Sequence, residues 1–270
     1  MAELNFYFKI AFEGITTIVC ITLAIVVYLR SRKNLPNIYM ATAFLLFGIY
    51  TGGVLVYDIF AMGPSGDIII AIFIRVSLVS ILFGGMFLFF AMQGQGHSRM
   101  WYSFKKNTLP WFGIVSVYSL FLLIWNHYIF GGIVTRSDWV TVLSYQPVDT
   151  QLYIFVLIPL IILLFVFLIS STLTIYTYGV KKTEGLRKHN MQRFLAGILI
   201  AICGVIINVL GQIPPIGGIS LGTITLSQIL DLVFFAVIAV SVIVMFTGIA
   251  VRSKGKVPLE QKDMEEKPVE

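Results

Sequence analysis

Charge is scarce in this sequence. Asp, Glu, Lys and Arg make up 12% of the 270 residues, against 58% hydrophobic residues, and the mean hydropathy is +0.92. Soluble domains carry roughly 25% charged residues, so this composition excludes a water-soluble globular fold and points to an integral membrane protein. Cysteine is nearly absent too. Cys20 and Cys203 each lie deep in an apolar run, where they read as small core residues rather than as a disulfide. Histidine is limited to His97, His127 and His189, which the topology below divides between the two sides, so they do not make one zinc site. H-E-x-x-H, P-loop and paired-cysteine patterns are missing as well. One apparent catalytic motif, Gly218, Ser220 and Gly222 in GISLG, has the G-x-S-x-G form. It follows Pro214 and Pro215 in a Gly/Pro-rich loop instead of a strand, and no histidine comes after Ser220, so a serine hydrolase is set aside. The last apolar run has no lysine with which to hold retinal as a Schiff base. We therefore expect no catalytic residue, cofactor or metal.

What the sequence does have is long apolar runs. About twenty apolar residues cover the ~30 Å hydrocarbon core of a bilayer, and seven such runs can be drawn, near 10–29, 38–60, 68–92, 109–130, 152–178, 194–213 and 224–251. The expected fold is an all-α, polytopic membrane protein: a seven-transmembrane-helix bundle over 1–251, followed by a short charged, disordered tail at 252–270. The first run has no basic segment before it and no small-residue cleavage site after it, so it reads as an uncleaved span. Net charge is +6, yet the 19 Lys and Arg are confined to short segments between runs, which is a topology signal and not a nucleic-acid surface. Arg30, Arg32 and Lys33 follow the first run, Arg99, Lys105 and Lys106 the third, and Lys181, Lys182, Arg187, Lys188 and Arg193 the fifth, while Arg252, Lys254 and Lys256 follow the last. By the positive-inside rule these segments face the cytoplasm, placing the N-terminus outside and the C-terminus in the cytoplasm of a multi-pass cell-membrane protein. Phe6, Tyr7, Phe8, Trp125, Tyr128 and Trp139 gather at the outer edge and Trp101 and Tyr102 at the inner, as interface anchors do. Pro110 is expected to open the fourth helix and Pro159 to kink the fifth.

The few polar groups inside these runs are the candidate site. An acid at the centre of a membrane helix costs roughly 2.5–3.5 kcal/mol, so it persists only where it faces protein or water and finds a partner. At 1.5 Å per residue, Asp231 and Arg75 each lie ~10 Å below the outer start of their helices, Glu13 ~5 Å, and Asn208 ~8 Å below the outer end of its own. Gln212 falls one turn above Asn208, Gln228 beside Asp231, and Asp58 near an outer end. The costly groups thus share the outer third. Arg75 and Asp231, at matching depth, are the expected ion pair, and the set reads in two ways: a structural clamp, or a ligand or ion site open to the outside. Gly197, Ala201, Gly204 and Asn208 recur on one face of the sixth run, permitting close helix approach. Thr223, Ser227 and Asp231 form a polar stripe on the seventh, either a water-lined funnel or interhelical hydrogen-bonding.

The seven-run, outside-to-inside order, with a basic fifth loop leading into KHNMQRFLAGILIAICGVIINVLGQIP, resembles the seven-transmembrane sensory module found at the N-terminus of some microbial histidine kinases. The resemblance covers the helix count and orientation of 1–251 and the texture of 187–214, and carries over no ligand residue. Members of that family continue into kinase or PAS domains that are not seen after residue 251, so the resemblance implies a stand-alone, receptor-like module acting through a partner. Three functions compete. A sensor would bind a small-molecule ligand from the outer side among Glu13, Asp58, Arg75, Asn208, Gln228 and Asp231 and engage a cytosolic signalling partner. A small-solute or ion transporter or channel subunit would need its polar groups to continue inward, where the sequence offers mainly Ser170, Ser171, Thr172 and Thr174. A structural or assembly subunit would use the charges as clamps.

Overall fold

The computed structural model describes residues 2–30, 32–61, 67–96, 101–130, 134–137, 140–145, 150–212, 219–221 and 224–250. Through them run seven α-helices: α1 (Ala2–Arg30), α2 (Leu35–Ala61), α3 (Asp67–Gly96), α4 (Trp101–Phe130), α5 (Thr150–Thr174), α6 (Gly185–Gln212) and α7 (Leu226–Ala250). Two short antiparallel hairpins interrupt the all-helical plan, β1 (Val134–Ser137) with β2 (Val140–Tyr145), and β3 (Ser220–Leu221) with β4 (Ile224–Thr225). Among the described residues six helices are long and apolar enough to cross a membrane, over Tyr7–Arg30, Leu35–Ile59, Ile72–Gly94, Ile158–Val180, Gly185–Gly211 and Gln228–Ile249. In α4 the apolar part is shorter, Thr108–Leu123. Large apolar side chains such as Ile18, Val117, Leu120 and Leu173 point outward. An outer surface of that kind suits lipid and not water, so the chain is a multi-pass helical membrane protein.

Several boundaries differ from those the apolar runs predict. Helix α1 begins at Ala2 instead of near residue 10, because the charge of Lys9 is met by other helices and does not end the span. Asn34 caps α2: its carbonyl accepts the first helical bond from the Ile38 amide at 3.0 Å, and Pro36 sits in the first turn, where a missing N–H is harmless. Pro110 lies inside α4, well after its start at Trp101. Helix α5 continues past Thr174 into a π-helical turn, Ile175–Val180, closed by the Lys181 amide on the Tyr176 carbonyl at 3.0 Å. The last helix opens at Leu226, after the β3–β4 hairpin. Both cysteines are free; Cys20 is in the core, but Cys203 is exposed on the outer face of α6.

Helices α1, α2, α3, α5, α6 and α7 form a ring, and α4 packs outside it, mainly on α3. The six ring helices are the same six that carry the long spans. Their shared core includes Cys20, Leu23, Phe44, Leu88, Leu164, Phe194 and Ile198. Small residues set the separations. On α6 a Cβ added at Gly197 would run into Met245 and come within 2.9 Å of the Ser241 carbonyl on α7, so only glycine allows this approach. The Ser241 hydroxyl uses the closeness, donating to the Gly197 carbonyl at 2.8 Å. Thr17 and Thr51 share a hydroxyl bond of 2.9 Å between α1 and α2, and Gln93 donates to the Thr174 hydroxyl at 3.3 Å between α3 and α5.

Candidate functional site

The start of α1, the end of α2 and the start of α7 meet at one end of the bundle, and each brings a charge there. At the centre is Lys9, whose Nζ lies 2.8 Å from Asp231 Oδ2, 2.9 Å from Asp58 Oδ2 and 3.8 Å from Glu13 Oε1. Lys9 and Glu13 are four residues apart on α1, so the helix itself stacks them on one face. Asp58 sits in the last turn of α2, where the helix dipole disfavours an acid, and the neighbouring ammonium offsets that cost. Asp231 sits in the second turn of α7, where the dipole favours it.

Aromatic side chains close around this group. Lys9 Nζ stands 5.3 Å from the centre of the Phe235 ring, and Phe235 packs edge-on to Phe234 with centroids 4.9 Å apart. Val54, Phe234 and Phe235 are buried, with Phe12, Tyr50 and Tyr57 packed against them. Removal of water strengthens each charge contact, and it also makes an unpaired charge costly. Exposure falls steeply through the group: the side chain is 37% exposed at Asp231, 18% at Lys9, 2% at Asp58 and 0% at Glu13. Neither Glu13 carboxyl oxygen has a hydrogen-bond donor among the described residues. Below Glu13 the surroundings turn mainly apolar. A cavity of about 70 Å³ at the centre of the ring is lined mainly by apolar groups, including Cys20, Phe47, Leu164, Ile198 and Phe234. The Thr16 and Thr51 hydroxyls beside it are turned back onto the carbonyls of Phe12 and Phe47 on their own helices.

Three of the residues singled out from the sequence, Glu13, Asp58 and Asp231, are therefore brought together, but by a residue that the sequence reading passed over. The pairing expected between Arg75 and Asp231 is not formed. Helix α3 packs chiefly on α2, α4 and α5, whereas α1 lies directly against α7, so equal depth in the membrane did not mean nearness across it. Arg75 is partly buried, and its Nε has no hydrogen-bond partner among the described residues. Asn208 and Gln228 are half-buried on α6 and α7, each engaged with a neighbour. The side chains of Gln212 and Ser227, residue Thr223, and the side chains of Trp101, Tyr102, Trp125, Tyr128 and Trp139 lie outside the described residues, as does the tail. The signal that would have found Lys9 was its four-residue spacing from Glu13. Among the described residues no group of three His, Cys, Asp or Glu is arranged to hold a metal ion. No protein-family model, curated protein or solved structure matches the chain.

The opposite end of the bundle is basic. Where α1 and α7 end and α2 and α6 begin, Arg30 Nη1 donates to the Ile249 carbonyl at 2.9 Å. A second cavity, of about 420 Å³, opens beside that bond.

Proposed function

We propose that the chain is a non-enzymatic sensor or receptor-like module of the cell membrane, with seven spans, the N-terminus outside and the C-terminus in the cytoplasm. Its charged cluster around Lys9 receives a small ligand from the outer side, and its basic inner loops engage a cytosolic signalling partner. The observation that carries this reading is the shape of the cluster: partly open at Asp231, sealed at Glu13, and floored by an apolar layer. Three carboxyl groups share one ammonium, and Glu13 lacks donors, so a ligand bearing a positive charge or several N–H or O–H groups suits it. The resemblance to the sensory module of histidine kinases supports the same reading. The transporter alternative is less well supported, because the hydroxyls of Thr16 and Ser171 donate to carbonyls of their own helices and that of Thr51 is taken up by the Phe47 carbonyl and Thr17, so that these groups mark out no polar path inward among the described residues.

A second reading has its own observation. One ammonium ties α1, α2 and α7 together, which is what a structural clamp does. The two are separated by mass spectrometry of small molecules retained by the protein in mild detergent, comparing wild type with Asp231→Asn. A molecule retained by wild type and lost in the variant, at unchanged fold, is expected. Loss of stability with no difference in retained molecules would favour the clamp, and Asp231-dependent flux in proteoliposomes would favour transport.

A further inference from the structure

We infer that the basic end of the bundle holds a binding site for a phosphate-bearing anion, most simply the headgroup of an anionic phospholipid. Its cavity of about 420 Å³ falls within the size range of small-ligand pockets, and it is built from the ends of five different helices. Two guanidinium groups, of Arg30 at the end of α1 and Arg187 in the first turn of α6, line it together with Asn34 and Asn37 at the start of α2. Neither arginine has a carboxylate partner among the described residues. Arg30 spends one N–H on the Ile249 carbonyl, which steadies the side chain and leaves its other donors for a ligand. Two planar, permanently charged forks with amide donors between them form a donor set that matches phosphate oxygens.

The position of the rim decides in favour of a lipid. Met40 and Phe194, on the side of the cavity that runs toward the bundle interior, are apolar and buried. The cavity is therefore amphipathic, with charge at the rim and hydrocarbon below it. Arg30 and Asn34 lie where the spans Tyr7–Arg30 and Leu35–Ile59 end and begin, which is headgroup level in a bilayer. A phosphodiester held by the arginines would keep its acyl chains in the surrounding bilayer, against the exposed Leu29 and Leu186 next to them in the chain, while a free phosphate would use the rim alone. The site lies at the other end of the bundle from Lys9, and it stands apart from whatever the charged cluster binds.

The test is thermal unfolding of the full chain in a neutral detergent, titrated with phosphatidylglycerol, phosphatidylcholine or inorganic phosphate at matched ionic strength. Phosphatidylglycerol is expected to raise the melting temperature by several degrees and phosphatidylcholine to leave it unchanged. Arg187→Gln should need roughly tenfold more phosphatidylglycerol for the same rise, the loss expected for one charge-assisted hydrogen-bonding group. Arg30→Gln should do the same from a lower starting temperature, since it also removes the Ile249 bond; Arg187, exposed and without that tie, keeps the test independent of folding. A matching rise with inorganic phosphate alone would keep the anion site and assign it to a soluble source. Equal responses to both lipids with none to phosphate, or wild-type titrations in both variants, would overturn the site.

Discussion

Lys9 is a basic residue placed where an apolar helix should not tolerate one, and its three neighbours explain why it persists. Breaking a buried ion pair from one side is worse than never having built it, because the partner charges are left without compensation. Lys9→Met is therefore expected to be the most damaging single change in the cluster, lowering stability by about 3 kcal/mol in detergent melts. Asp58→Asn should cost less, and Asp231→Asn least, under about 1 kcal/mol, because its side chain is 37% exposed and solvent screens it. The pairing itself is read by double-mutant cycles. Lys9→Met and Asp231→Asn should couple by about 0.5–3 kcal/mol, whereas Arg75→Met and Asp231→Asn should add to within about 0.5 kcal/mol. Coupling between Arg75 and Asp231 of the size expected for Lys9 would show that the wrong cation has been assigned.

At the scale of elements, a close approach between α6 and α7 depends on a missing side chain. Gly197 has Met245 and the Ser241 carbonyl against its Cα, so Gly197→Val must push the helices apart, at about 1–3 kcal/mol. The contrast is Gly14 on α1, which has nothing within 4 Å of an added Cβ. There Gly14→Ala should stabilise by up to about 1 kcal/mol, through helix propensity alone. Thermal melts of the two variants beside wild type check both signs. If both changes prove neutral, the α6–α7 contact is looser than the glycine geometry requires.

For the whole molecule, the orientation rests on loop charge, and the two chemically different ends give it meaning. In the proposed orientation the carboxyl-rich cluster faces outside and the Arg30–Arg187 cavity faces the cytoplasm. Reporter fusions test this directly. A fluorescent protein joined after residue 270 should glow, as it does when held in the cytoplasm, and alkaline phosphatase joined near residue 64 should be active outside. The opposite pair of results would reverse both ends and remove the outer ligand reading, while leaving the anion cavity in place.

Scarcity of charge, seven apolar runs and the alternation of basic loops made the helical membrane bundle legible in the sequence alone, since hydrophobic length and loop charge are properties of local segments. Glu13, Asp58 and Asp231 were legible too, as acids too costly to be accidental. Their common partner was not. Lys9 stood just outside the first apolar run, and depth along the membrane normal, which residue spacing supplies, carries no information about which helices are lateral neighbours. Only the packing of α1 between α2 and α7 decided that one ammonium would serve all three acids and that Arg75 would serve none of them. The anion cavity was hidden for the same reason: Arg30 and Arg187 are far apart in the chain and line one cavity only because the helices pack into a ring.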